Sequence, residues 1–360
     1  MKKTLIPLVD RTIQRSPVLL QATGKATALM RNLAIKRYIP SRRTREFKVG
    51  GDLSNLLSHH AHIYREKGAG SIPTIIIGGF VPDATEVIEF QRNLLKEFGS
   101  IYYLNYRRQG YSSELLSAQI ADLIEDLNRR GERPVLFGIS FGAGVVVDFL
   151  RTFFRRENLN IRGVIFISPV FCTADLVRPE GERTGGVRML ESSLRRILKA
   201  GAKAGEDMER QVERARRCFQ SLFETGAENR RLTGRHLAIR KDIMDVIEKT
   251  PAVGGYERML ALQAFSPLVA DETIFSGPVL TLLAEGEENL LVPTSPTLAL
   301  CHDSGRFGKI FPRGICRRVT SGRQDDPVVH ASLIFHHKEF NPLIASWYNK
   351  LLPPKIFAVV

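Results

Sequence analysis

Apolar residues come in short, nearly unbroken runs separated by stretches of helical spacing. The runs at residues 74–77, 101–104, 135–137, 163–167 and 278–284 show no strict alternation of apolar and polar positions. At three to seven residues each, they predict strands covered on both faces. Between them, Val87, Phe90, Leu94 and Leu95 form one stripe in a helix expected over 83–98, with Asp83 and Glu86 as a capping box. Leu116, Ile120, Leu123, Ile124 and Leu127 form a second stripe over 113–130, ended by Gly131. Strands alternating with helices of this length imply βαβ units. The fold class expected is therefore α/β, a doubly wound and mostly parallel sheet. Ligands of such sheets bind beyond the carboxyl ends of the strands.

The alternation stops between about 171 and 267. There Val187, Leu190, Leu194, Ile197 and Leu198 keep helical spacing, as do Val212, Ala215, Phe219 and Leu222. This predicts a helical cap or lid inserted between two sheet strands. The chain then divides into an N-terminal extension with an edge strand at 46–49 (residues 1–70), a core in two pieces (71–170 and 271–360), and the inserted helical cap (171–270). A short helix near 295–301, an apolar-poor strand within 309–319 and a closing helix from Asn341 complete the core.

Charge alters the picture at one end. Of a formal net charge of +14, residues 1–45 contribute eleven Lys or Arg against the single acid Asp10. Apolar residues interleave with them (Leu5, Ile6, Leu8, Val9, Ile13, Val18, Leu19, Leu20), which suits an anionic membrane surface. An acid-poor organelle-targeting segment and a surface extension packed on the body are the other readings. Nucleic-acid binding is not expected, since aromatic residues are scarce there. No apolar run reaches the length of a membrane span. Four scattered cysteines without C-x-x-C spacing argue against a disulfide scaffold or a zinc site, and place the chain in a reducing, cytoplasmic setting, peripheral to a membrane where the basic arm engages one.

The chemistry centres on Gly138-Ile139-Ser140-Phe141-Gly142. An apolar strand precedes this G-x-S-x-G and an apolar helical run, Val145 to Leu150, follows it. A serine at a sharp strand-to-helix turn needs small neighbours two residues either side, and sits close to helix N-terminal N–H groups that suit an oxyanion. Ser140 is the candidate nucleophile.

With these residues the chain resembles the α/β-hydrolase family over roughly 70–352. Ile77-Gly78-Gly79-Phe80 is similar to the family's H-G-x turn, with Gly78 where His is common. Residues 105–112 are similar to D-x-R-G-x-G-x-S, with Asn105 for Asp and Arg108 for Gly. Gly286 to Pro293 is similar to G-x-x-D-x-x-V-P. The resemblance implies a serine ester hydrolase needing no metal or organic cofactor and acting on a small-molecule or lipid ester. It also implies His330 as general base and the backbone N–H groups of Phe80 and Phe141 as the oxyanion hole. Asn289 occupies the position of the triad acid. The carboxylate is then expected from the same loop, with Glu288 favoured over Glu287 and Glu285, and with Asp175 as an outside candidate. Asn289, Asn105 and the basic arm together motivate a second reading, a catalytically weakened binding or scaffold protein at a membrane surface. Acyl transfer would use the same residues.

Overall fold

The computed structural model describes residues 33–352 apart from 180–187, 201–204, 229 and 270–271, together with 22, 26 and 29–31. Most of the basic segment that suggested a membrane surface lies outside the described residues.

Eight strands form one sheet in the order β1-β2-β4-β3-β5-β6-β7-β8. They are β1 (Ile35–Arg37), β2 (His62–Glu66), β3 (Thr74–Ile77), β4 (Ile101–Asn105), β5 (Val135–Ile139), β6 (Gly163–Ile167), β7 (Pro278–Ala284) and β8 (Arg313–Val319). The six from β3 onward are parallel to one another, while β2 pairs antiparallel with both β4 and β1 at one side of the sheet. Side chains alternate across the pleat, so consecutive apolar residues supply both faces. Ile75, Tyr102, Leu136 and Val164 enter one core, packed under Ser113–Arg129 and Phe141–Phe149. Ile76, Ile101, Val135 and Ile165 enter the other, packed under Arg92–Phe98 and His337–Leu351. This two-sided burial explains why the strands read as unbroken apolar runs.

Three expectations need correction. Residues 46–49 are not an edge strand: they lie in the helix Thr44–Gly50, where Glu46 is buried and ion-paired with Arg43 at 2.6 Å and with His60 at 2.9 Å. The strands at that side of the sheet are β1, at its edge, and β2 next to it, and β2 falls within the largely polar residues 50–71. Its Glu66 points inward because Arg92 meets it with two hydrogen bonds, at 2.8 and 2.9 Å. The helix expected over 83–98 is two helices, Ala84–Val87 and Arg92–Phe98. Asp83 makes no side-chain cap there. It holds Arg108 instead, through bonds of 2.9 and 2.7 Å.

Between β6 and β7, four long helices depart from the sheet: Arg188–Ala200, Gly205–Thr225, Gly234–Lys249 and Ala252–Ala264. They pack on one another and over the carboxyl ends of the strands, the edge at which parallel sheets build their sites.

Candidate active site

Ser140 follows β5 directly and has φ 51° and ψ −117°, a conformation that L-residues other than glycine rarely adopt. The turn is held from three sides. Ser140 N–H donates to Ile167 O at 2.9 Å, and Ser140 O accepts from Ala143 N at 2.9 Å and Val170 N at 3.2 Å. A side chain at Gly142 would put its Cβ 2.3 Å from Ile77 O and 2.4 Å from Gly78 O. Glycine at that position is therefore a condition for the helix Phe141–Phe149 to start against β3.

His330 Nε2 lies 2.9 Å from Ser140 Oγ, and His330 Nδ1 lies 2.6 Å from Glu287 Oε2. A carboxylate can only accept. Nδ1 therefore carries the proton, and the Nε2 lone pair is left to accept from the serine hydroxyl. The second oxygen, Glu287 Oε1, accepts from Ala284 N at 2.8 Å. Glu287 is 1 % exposed, so little competes for its hydrogen bonds. The loops bearing acid and histidine are joined directly: Gly286 N–H donates to Val328 O at 3.0 Å, and Gly286 and Val329 form a parallel bridge.

Glu288 was the carboxylate favoured by sequence, and it is not the one that reaches His330. Residues Glu287–Asn289 form one turn of 3-10 helix, in which each residue rotates by a third of a turn. Glu287 and Leu290 thus share the inward face, while Glu288 and Asn289 turn outward and are exposed. Glu288 comes no closer than 3.9 Å to Arg318. Glu285 is taken up by Val328 N–H at 2.9 Å. Asp175 is fully buried and accepts from Ser295, from Thr297 twice, and from the backbone of Phe171 and Cys172. Burial raises its pKa. It fixes a loop and does not contact the histidine. His336 is buried against Ser332, and His337 stacks on Phe90 at 4.6 Å, so neither stands at Ser140.

Among the described residues, no hydrogen bond is made to the backbone N–H of Phe80 or of Phe141. Their rings meet edge to face, centroids 5.2 Å apart, with Phe80 lining the site and Phe141 buried in the core behind it. Two further residues support it. Ser168 Oγ accepts from Ala331 N at 2.9 Å, fixing the residue after His330, and both Ser168 (φ 44°) and Ala331 (φ 52°) hold positive φ. Ser168 ends the run 163–167 at the carboxyl edge, and that position was its sequence signal. Arg258 gave none. Fully buried on the inserted helix Ala252–Ala264, it donates to Phe80 O and Arg107 O, each at 2.6 Å. Burial lowers its pKa.

Ser140 and His330 open into a cavity of about 120 Å³ whose remaining lining is almost wholly apolar. It is contributed by the 80–82 loop, the inserted helices (Phe219, Leu222, Phe223, Ile243, Ile247) and the 331–335 segment. No group of three or more His, Cys, Asp or Glu able to hold a metal occurs among the described residues.

The sheet order, the strained serine after β5 and the inserted helices after β6 define the α/β-hydrolase fold. Solved structures agree. The chain is similar to an esterase from Exiguobacterium antarcticum (12 % identity, TM-score 0.53), covering 80 % of this chain and 96 % of that one. It is similar to MenH from S. aureus (13 % identity, TM-score 0.55), covering 81 % and 98 %. Similarity to a membrane phospholipase A, described as a bacterial virulence factor, extends over 98 % of this chain and 99 % of that one (16 % identity, TM-score 0.55). No protein-family model and no curated protein sequence matches the chain.

Proposed function

We propose that the protein is a serine hydrolase of carboxylic esters that works through an acyl-enzyme on Ser140. The observation that carries this reading is the continuous chain of contacts from Ser140 through His330 to Glu287, at 2.9 and 2.6 Å. In the proposed reaction Ser140 Oγ attacks the ester carbonyl while its proton passes to His330 Nε2. Glu287 stabilises the imidazolium formed, and the N–H groups of Phe80 and Phe141 receive the oxyanion. His330 then protonates the departing alkoxide. Water, deprotonated by the same histidine, releases the acid and restores Ser140. The inserted segment 171–270 serves as the cap over this site. The apolar lining favours esters with hydrocarbon acyl groups, from a small molecule or a lipid. Asn289, Asn105 and the basic arm motivate the reading as a weakened binding protein; with Glu287 against His330, the first of these loses its force.

A fluorophosphonate probe should label the wild-type protein on Ser140 and leave Ser140→Ala unlabelled, and turnover of p-nitrophenyl esters should vanish with the label. Folded wild-type protein that neither labels nor hydrolyses any ester would overturn the proposal.

A further inference from the structure

The cavity at Ser140 is not the end of the apolar space. A second cavity of about 30 Å³ lies among the inserted helices, lined by Leu194, Ile197, Val212, Ala215 and Met259. The two share four wall residues: Phe80, Val81, Phe219 and Ile247. The partition between them consists of side chains. Its central pair is Phe219, half-buried on Gly205–Thr225, stacked on Phe80 with centroids 5.9 Å apart and planes 17° from parallel. At the far end Arg216 closes the apolar space, its guanidinium bonded to Glu213 at 2.7 Å and to the Thr250 carbonyl.

We infer that these cavities in series are the site for one unbranched acyl chain, with Phe219 as the gate between its near and far halves and Arg216 setting its limit. Chemistry decides which part of the ester enters. The leaving oxygen must take its proton from His330 and therefore departs on the histidine side of Ser140. The second cavity touches neither Ser140 nor His330 but shares Phe80, whose N–H is placed to receive the carbonyl oxygen in the hydrolase reading. The chain on the carbonyl carbon is thus the one directed toward the gate. The far cavity, at about 30 Å³ against about 120 Å³ for the first, has room only for the end of such a chain. This inference rests on the hydrolase reading for its kinetics and is independent of it for binding.

The test compares p-nitrophenyl esters from acetate to palmitate, reading the ratio of kcat/KM for long over short chains. Each methylene newly buried is worth about fourfold (~0.8 kcal/mol). Phe219→Ala should raise the laurate-to-butyrate ratio by about tenfold or more. Ala215→Phe, which fills the far cavity, should lower it by a similar factor, and Phe219→Leu should fall between wild type and Phe219→Ala. Thermal midpoints verify that each variant is folded. In parallel, calorimetry measures laurate and decanoate binding to Ser140→Ala, alone and combined with Ala215→Phe. The combination should bind laurate about tenfold more weakly. Ratios and binding unmoved in folded variants would overturn the inference, as would a series of alkyl acetates responding in place of the acyl series. If no variant hydrolyses any ester while fatty-acid binding follows residue 215, the hydrolase reading falls and the chain site stands.

Discussion

Replacing Glu287 by Gln changes one atom in a buried pair and is the most discriminating perturbation of the proposed relay. The glutamine carbonyl can keep the bond from Ala284 N–H that Glu287 Oε1 now accepts at 2.8 Å, which turns the amide NH2 toward His330. Nδ1 must then accept, so the ring proton moves to Nε2, the nitrogen 2.9 Å from Ser140 Oγ. In that tautomer Nε2 donates to the serine and cannot take its proton. The corresponding change in a serine protease costs about 10⁴ in kcat, about 5.4 kcal/mol of barrier. We expect the same order here, with KM for p-nitrophenyl butyrate little altered and the thermal midpoint close to wild type. Glu288→Gln is the control: the side chain is exposed, and its ion pair with Arg318 spans 3.9 Å. It should stay within about twofold of wild type, as exposed pairs contribute little. Steady-state kinetics and the rate of fluorophosphonate labelling report independently on the loss. Glu287→Gln retaining activity within tenfold of wild type, or Glu288→Gln falling as far, would refute the argument.

Two further outcomes are expected. Burial, reinforced by Asp83, pushes the Glu86 carboxyl up to about 7 despite Arg31 at 3.7 Å. Since the folded pKa lies above the ordinary 4.5, the contribution of Glu86 to stability is most favourable below about pH 4.5 and declines as pH rises through 7, by a ceiling of about 3 kcal/mol. Glu86→Gln should therefore raise the thermal midpoint at pH 8 and change it little at pH 4.5; equal shifts at both would refute the assignment. The second concerns the basic arm: Arg31, Arg43 and Arg45 are engaged in internal ion pairs, while Lys36, Arg37 and Arg42 are exposed. Deleting residues 1–21 removes Lys2, Lys3, Arg11 and Arg15, each worth roughly 1 kcal/mol beside an anionic surface, and should sharply weaken low-salt co-sedimentation with anionic vesicles. Undiminished sedimentation would assign the arm another role.

The parallel strands were legible because each is buried on both faces and leaves an unbroken apolar run such as Thr74–Ile77. The serine was legible because its turn demands glycine at fixed offsets. Local pattern failed where partners were distant. β2 carries Arg65 and Glu66, and the inward position of Glu66 depends on Arg92, on a helix beyond the next strand. The helix Thr44–Gly50 buries Glu46 against Asp122-bound backbone and His60, contacts no short window contains. The acid eluded sequence for a different reason. Spacing locates the loop, but the phase of one 3-10 turn decides which of three consecutive residues faces inward.

β6 and β7 lie side by side in register, Val164 opposite Val279, although roughly a hundred residues run between them. The intervening chain leaves and re-enters the sheet at neighbouring points, so its length is nearly invisible to the strands. Closing a longer excursion costs only about 0.6 kcal/mol per doubling, before its own packing offsets this. The helices facing the serine can therefore be exchanged, lengthened or resculpted by mutation while the strand ends that carry Ser140, Glu287 and His330 stay registered. Such a division lets selection on what the molecule admits proceed apart from selection on what it does to it. Chains sharing this sheet at 12–16 % identity are what that freedom would leave behind.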